Sequence, residues 1–215
     1  MKHEQSDSPS SPWQDTTLMA WQASPAVGVL RKRLFHRGGA ESGVVSSIVR
    51  YEPNSDFAAH QHPQGEEILV LEGVFSDEHG DYPQGYHLLN PDGSCHTPFS
   101  QQGCTLWVKL RQYDGADRPL QHSDSINQGQ WQQAEVGVSV KTLYQQRGYA
   151  EQICLVRLHC AEMTVTGPFE LLLLSGELDD QFGNHTKLSY LRWSENSSLT
   201  VAASGDAEFY LCQYR

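Results

Sequence analysis

The chain carries one pattern twice. Glu67-Ile-Leu-Val-Leu-Glu-Gly73, followed by Gly80, returns 103 residues later as Glu170-Leu-Leu-Leu-Leu-Ser-Gly176, followed by Gly183. The same offset carries Leu106-Trp107-Val108 onto Phe209-Tyr210-Leu211. Nearer the front, Val27-Gly28-Val29 and Lys32-Arg33-Leu34-Phe35 resemble Val136-Gly137-Val138 and Lys141-Thr142-Leu143-Tyr144, at an offset of 109. Several matches in one order argue a duplicated unit, so whatever the first half folds into, the second half folds into as well.

The repeated unit is built of strands. Short apolar or alternating runs cover Val27–Phe35, Val44–Tyr51, Glu67–Phe75, Tyr86–Leu89 and Cys104–Gln112, and then Val136–Tyr144, Gln152–Cys160, Glu170–Leu174, Lys187–Trp193 and Ala207–Gln213. Turn formers such as Pro53-Asn-Ser-Asp56, His79-Gly-Asp81 and Pro91-Asp-Gly93 separate them, and no long amphipathic helix is evident. Strands at near-regular spacing with these turns argue an all-β sandwich or barrel in each copy. The expected organisation is a polar, poorly ordered tail over 1–15, a first domain over 16–113, a polar linker over 114–133 and a second domain over 134–215.

Charge narrows the partners. With 26 acidic and 15 basic residues the chain carries −11, which disfavours nucleic acid and anionic membrane surfaces. No uninterrupted apolar stretch exceeds four residues, as in Leu171–Leu174, far short of the roughly 20 residues a membrane helix needs. The first residues lack the apolar core of a secretory signal, and the five cysteines are odd in number without a CxxC pair. A reduced, cytoplasmic setting is expected.

The sharpest local feature is His60-Gln-His62-Pro-Gln-Gly-Glu66. Residues two apart on an extended segment point to one side, so His60 and His62 can present two imidazoles to one point. Glu66, across a Pro-Gln-Gly turn, can bring a carboxylate there, and His96, after the turn Pro91-Asp-Gly93, can supply a fourth ligand. Three imidazoles and a carboxylate suit zinc, iron, manganese, nickel or copper better than the oxygen-seeking calcium and magnesium. The remaining histidines, including His79, His87, His122 and His185, lack such a context and read as surface or packing residues. Cys95 precedes a ligand and is a redox candidate, although strand neighbours point oppositely.

These two stretches resemble the paired motifs of the cupin superfamily. The first is carried by Asn54, His60, His62, Glu66 and Gly73, and the second by Gly85, Pro91, Gly93, His96 and Ser100. Only Asn54, for a glycine, and Ser100, for an asparagine, depart from the pattern. More narrowly, residues 25–113 are similar to the cupin-like domain of the ChrR family of anti-sigma factors, whose cupin half responds to oxidative stress. The resemblance implies two tandem jelly-roll barrels and one divalent metal ion, zinc first and iron, manganese or nickel as alternatives, held by His60, His62, Glu66 and His96. The helical zinc-binding domain with which that family holds its sigma factor has no counterpart pattern here, so direct sigma-factor inhibition is not carried over.

In the second copy, Glu66 falls on Phe169, His96 on Leu199, and the two-histidine segment near Met163–Val165. A metal is therefore expected in the first barrel and none in the second. Two functions fit. One is a sensory or regulatory module acting through a regulatory protein or a small-molecule ligand. The other is a metal-dependent dioxygenase cleaving a small diketone or aromatic ketone. For the latter, Phe57, Phe75, Phe99, Leu69 and Trp107 are candidate pocket residues, with Glu67 and Tyr51 as candidates to orient the histidines. A monomer or homodimer is expected.

Overall fold

A computed structural model describes residues 11–115, 117–194 and 196–215. It is an all-β chain, apart from one 3-10 turn at Thr16–Leu18 among the described residues, and no described helix is long and apolar enough to cross a membrane. The chain divides into two compact units. One holds Leu18–Trp131 with Lys141–Tyr149, and the other holds Gln132–Val140, Ala150–Arg215 and the described part of Met1–Thr17.

In the first unit an antiparallel sheet runs in the order Gln121–Asp124, Tyr86–Asn90, Glu66–Asp77, Cys104–Leu110, Val44–Tyr51, Val29–Arg37 and Gln22–Ala23. Glu66–Asp77 belongs to two layers. Its first half pairs with Tyr86–Asn90 and Cys104–Leu110, and its second half pairs with Gly80–Pro83 and touches Phe99. The bend between them falls at Gly73, which has a φ of 76°. A Cβ there would lie 2.2 Å from the Gly103 carbonyl oxygen, so only glycine lets the strands pass this closely. Ile68, Val70, Phe75, Leu88, Leu106 and Val108 fill the core so enclosed.

The second unit repeats the device. Phe169–Ser175 lies between Ser189–Trp193 and Ser198–Tyr214. Gly176 has the same φ of 76°, and a Cβ there would meet the Asp206 carbonyl oxygen at 2.1 Å. Gly103 and Asp206 are themselves related by the repeat. Val165, Phe169, Leu171, Leu173, Leu199 and Phe209 belong to the buried hydrophobic cluster of this unit.

Two segments read as linker and tail carry strands. Within 114–133, read as linker, Gln121–Asp124 is a strand paired to Tyr86–Asn90. It shows no alternation because it is polar and half-buried along its length. Of the tail 1–15, residues 1–10 lie outside the described residues, but Trp13–Asp15 pairs with Ser189–Trp193.

Candidate metal centre

The two motif turns are laced together by their backbones. His60–Gln61 and Cys95–His96 form a two-stranded ladder in which His60 and His96 are direct partners. The His62 amide donates to the Ser94 carbonyl at 2.9 Å, and the Gly93 amide to the His62 carbonyl at 3.1 Å. The Gln64 amide donates to Asp92 Oδ1 at 2.7 Å. Glu66 is the first residue of the strand Glu66–Asp77.

This brings His60, His62, Glu66 and His96 together, each with a ligand atom within 4.8 Å of the others. His62, Glu66 and His96 are buried and His60 half-buried. Glu66 Oε2 lies 3.4 Å from His62 Nδ1 and 3.7 Å from His96 Nε2. The ring centroids of the three histidines lie 4.6 to 5.2 Å apart. His62 Nε2 is buried without a hydrogen-bond partner, a state that costs free energy unless something occupies it. Three imidazoles, one of them with an orphaned buried nitrogen, and one carboxylate make a donor set that could hold a metal ion.

Further residues fix these groups in place. His60 Nδ1 lies 2.8 Å from the Ala58 carbonyl, His96 Nδ1 lies 3.2 Å from Asp77 Oδ2, and Asn90 Nδ2 donates to Glu66 Oε2 at 2.9 Å. Asn90 Oδ1 in turn faces His122 Nε2, whose Nδ1 faces the Tyr82 hydroxyl, which donates to Asp77 Oδ1. A belt of hydrogen bonds thus runs from Glu66 round to His96, holding ring orientations as outer partners do at metal sites. Burial depresses the proton affinity of His62, against the opposing pull of Glu66. At His96 burial acts the same way, but Asp77 and Glu66 outweigh it and raise the pKa. Burial opposes ionisation of Asp77 too, but hydrogen bonds from His96, the His79 amide and Tyr82 leave its pKa lowered.

The cluster opens into a chamber of about 380 Å³ lined by all four residues, by Val29, Val49, Ile68, Phe75, Leu106 and Val108, and by Arg31 and Arg111. Of the candidate pocket residues, Phe57 and Phe75 line it and Phe99, Leu69 and Trp107 do not. Leu69 alternates with Ile68 along its strand, so it faces the other way. Tyr51 lines the chamber, and burial and the Glu66 charge raise its pKa, keeping the phenol protonated. Glu67 does not orient the site histidines. It is turned to the opposite side of the strand and binds His87 at 3.0 Å and the Tyr113 hydroxyl. Cys95 is exposed where its neighbour His96 is buried. His122, read as surface or packing, belongs to the belt. Asp77, Asn90 and Tyr82 are absent from the sequence reading, and the one sequence signal for them is the recurrence of Asp77 as Asp180.

Residues 11–114 match the family model of the ChrR cupin-like domain. No curated protein matches the chain. Solved structures are similar over nearly its whole length. Protein Ylba from E. coli aligns with a TM-score of 0.75 at 14% identity, covering 94% of this chain and 89% of that one. A candidate dioxygenase from Nostoc punctiforme aligns at 0.76 and 15%, covering 94% and 82%. A deletion mutant of Bacillus subtilis oxalate decarboxylase aligns at 0.68 and 12%, covering 96% and 78%. At these identities the likeness is one of fold.

Proposed function

We propose, from the match of residues 11–114 to the ChrR cupin-like domain, that the protein is a metal-binding regulatory cupin. It holds one divalent ion, zinc, through His60, His62, Glu66 and His96. The reading is carried by one observation: four potential ligands converge and all four line the same apolar-walled chamber. When bound, the ion supplies a Lewis-acid point at the chamber floor. The chain's own residues do the rest. Asp77 and the Ala58 carbonyl hold the rings of His96 and His60, Asn90 holds the Glu66 carboxylate, and the apolar walls exclude water from what enters. With a charge of −11, the output passes to another protein rather than to DNA.

The chamber also favours a second reading, a non-haem dioxygenase acting on a small diketone or aromatic ketone with iron, manganese or nickel. Its volume of about 380 Å³ falls within the roughly 300–1,000 Å³ of small-molecule pockets. Metal analysis of the purified protein, paired with oxygen-electrode traces in the presence of acetylacetone, separates the two. One equivalent of zinc and no oxygen consumption supports the regulatory module. Iron with diketone-dependent oxygen uptake establishes the oxygenase. A protein that takes up no metal overturns both.

A further inference from the structure

The chamber wall is more basic than the protein around it. The chain carries −11 overall, yet Arg31 and Arg111 both line the chamber and Arg33 stands beside Arg31. One carboxylate serves two of the three. Glu41 accepts Arg31 Nη1 and Nη2 at 3.0 and 2.6 Å and Arg33 Nη2 at 2.9 Å. The hydrogen bond from Arg31, with the charges of both arginines, holds the Glu41 carboxyl below its ordinary range, so Glu41 is ionised and already committed. The other carboxylate lining the chamber, Glu66, belongs to the metal cluster. Arg31 Nε remains buried without a hydrogen-bond partner.

Arg111 is the guanidinium left over. Its Nη2 donates to the Glu41 backbone carbonyl at 3.2 Å, and among the described residues no carboxylate pairs with it. Its placement is costly. Arg111 has a φ of 60°, in the left-handed region that side chains other than glycine, asparagine and aspartate seldom adopt. Two backbone bonds impose it: the Arg111 amide donates to the Gly65 carbonyl at 2.9 Å and the Tyr113 amide to the Gln64 carbonyl at 2.8 Å. Gly65 is packed so tightly there that a Cβ would meet Tyr113 Cβ at 2.8 Å. The segment after the Cys104–Leu110 strand is thus strapped to the loop between His62 and Glu66, with an unpaired cation beside the ligand loop.

We infer that Arg111 is the anion anchor of the chamber, and that the molecule the chamber takes is a small monocarboxylic acid with an apolar body. Its carboxylate sits against Arg111, whose planar fork matches it, and its body lies against Val49, Ile68, Phe75, Leu106 and Val108. The inference rests on the chamber reading above and names the class of molecule it admits. Arg111 acts as a binding residue and takes no part in holding the metal.

The test compares phenylacetate with its neutral isostere phenylacetamide, and with acetate, by calorimetric titration of the full chain, with metal content measured on the same samples. Phenylacetate should bind at least about tenfold tighter than the amide, and acetate, lacking the body, more weakly than phenylacetate. Arg111→Gln should bring the acid down to the level of the amide with metal content unchanged. Arg111→Asn, which tolerates the left-handed backbone, should do the same, and Arg111→Lys should keep part of the preference. Equal binding of acid and amide to the parent chain, no binding of the acid at millimolar concentration, or a preference that survives in the Gln and Asn variants overturns the inference. A parent chain without metal overturns the metal reading instead, and the acid-to-amide ratio on that sample still decides the role of Arg111.

Discussion

Asp77 ends the strand that Glu66 begins, yet both carboxylates reach the same histidine, because the strand bends between them. His96 faces Asp77 through Nδ1 and Glu66 through Nε2. The pair raises the pKa of His96 above its ordinary 6.5 although burial acts against it. A metal needs the neutral imidazole, so protons compete at His96. Metal affinity should climb as pH rises and level off only above the raised pKa, with the climb still under way just above pH 6.5, the ordinary histidine value. Asp77→Asn should lower affinity about 10- to 100-fold at alkaline pH, the usual cost of losing an outer partner. It should also move the climb to lower pH, since His96 then gives up its proton more readily. Competition against a chromophoric chelator across the neutral range reads both effects. His62→Ala removes a ligand outright and should reduce metal content to background; full retention of metal would refute the ligand assignment. The clustering of His60, His62, Glu66 and His96 was legible because strand period and turn chemistry dictate where HxH and its glutamate point. Asp77 and Asn90 were not, since nothing in local spacing says that a strand's far end returns to its beginning.

At the level of strands, the device that makes this return possible is a glycine bend. Gly73→Ala would place a methyl group against the Gly103 carbonyl and force alanine into the left-handed region. The backbone term alone is ~1–2 kcal/mol, and the clash should bring the total to about 3 kcal/mol or more. Gly93, with a φ of 78° and no atom within 4 Å of where a methyl group would stand, is the control; Gly93→Ala should cost only the ~1–2 kcal/mol backbone term. Thermal unfolding of the two variants should show Gly73→Ala melting well below Gly93→Ala, and the reverse order would remove the bend from the argument. Val44–Tyr51 was legible to the residue because it is rich in β-branched residues and lies between the turn formers Gly43 and Pro53. The strand read as ending at Cys160 in fact runs from Glu151 to Thr166. Cys160 has a φ of 46°, and the register slips between His159 and Ala161. Such a bulge inverts the alternation from which strands are read, so the period fails while the backbone pairing continues.

Over the whole molecule, duplication shows most clearly in what the second unit has kept. Asp180 stands where the repeat puts Asp77. It accepts the Phe182 amide as Asp77 accepts the His79 amide, and it binds His185 where Asp77 binds Tyr82. Its second oxygen accepts Trp13 Nε1 at 2.7 Å, and Trp13 stacks on His185 at 4.1 Å. The partner of Asp77 at that oxygen is His96, whose counterpart Leu199 is apolar core. Val165 pairs with Leu199 as His60 pairs with His96, and Phe169 fills the place of Glu66. The outer carboxylate has survived while the inner donors have become core, so metal should bind at one equivalent per chain and stabilise one unit only. An ion bound to the folded first unit at about 1,000 times its Kd stabilises that unit by about 4 kcal/mol. Hydrogen exchange before and after chelation reads this segment by segment. Removing the metal should speed exchange in Glu66–Asp77 and Cys104–Leu110 and leave Phe169–Ser175 and Ser198–Tyr214 unchanged. Two equivalents of metal, or loss of protection in Phe169–Ser175, would mean that the second unit still holds a site its core side chains cannot supply.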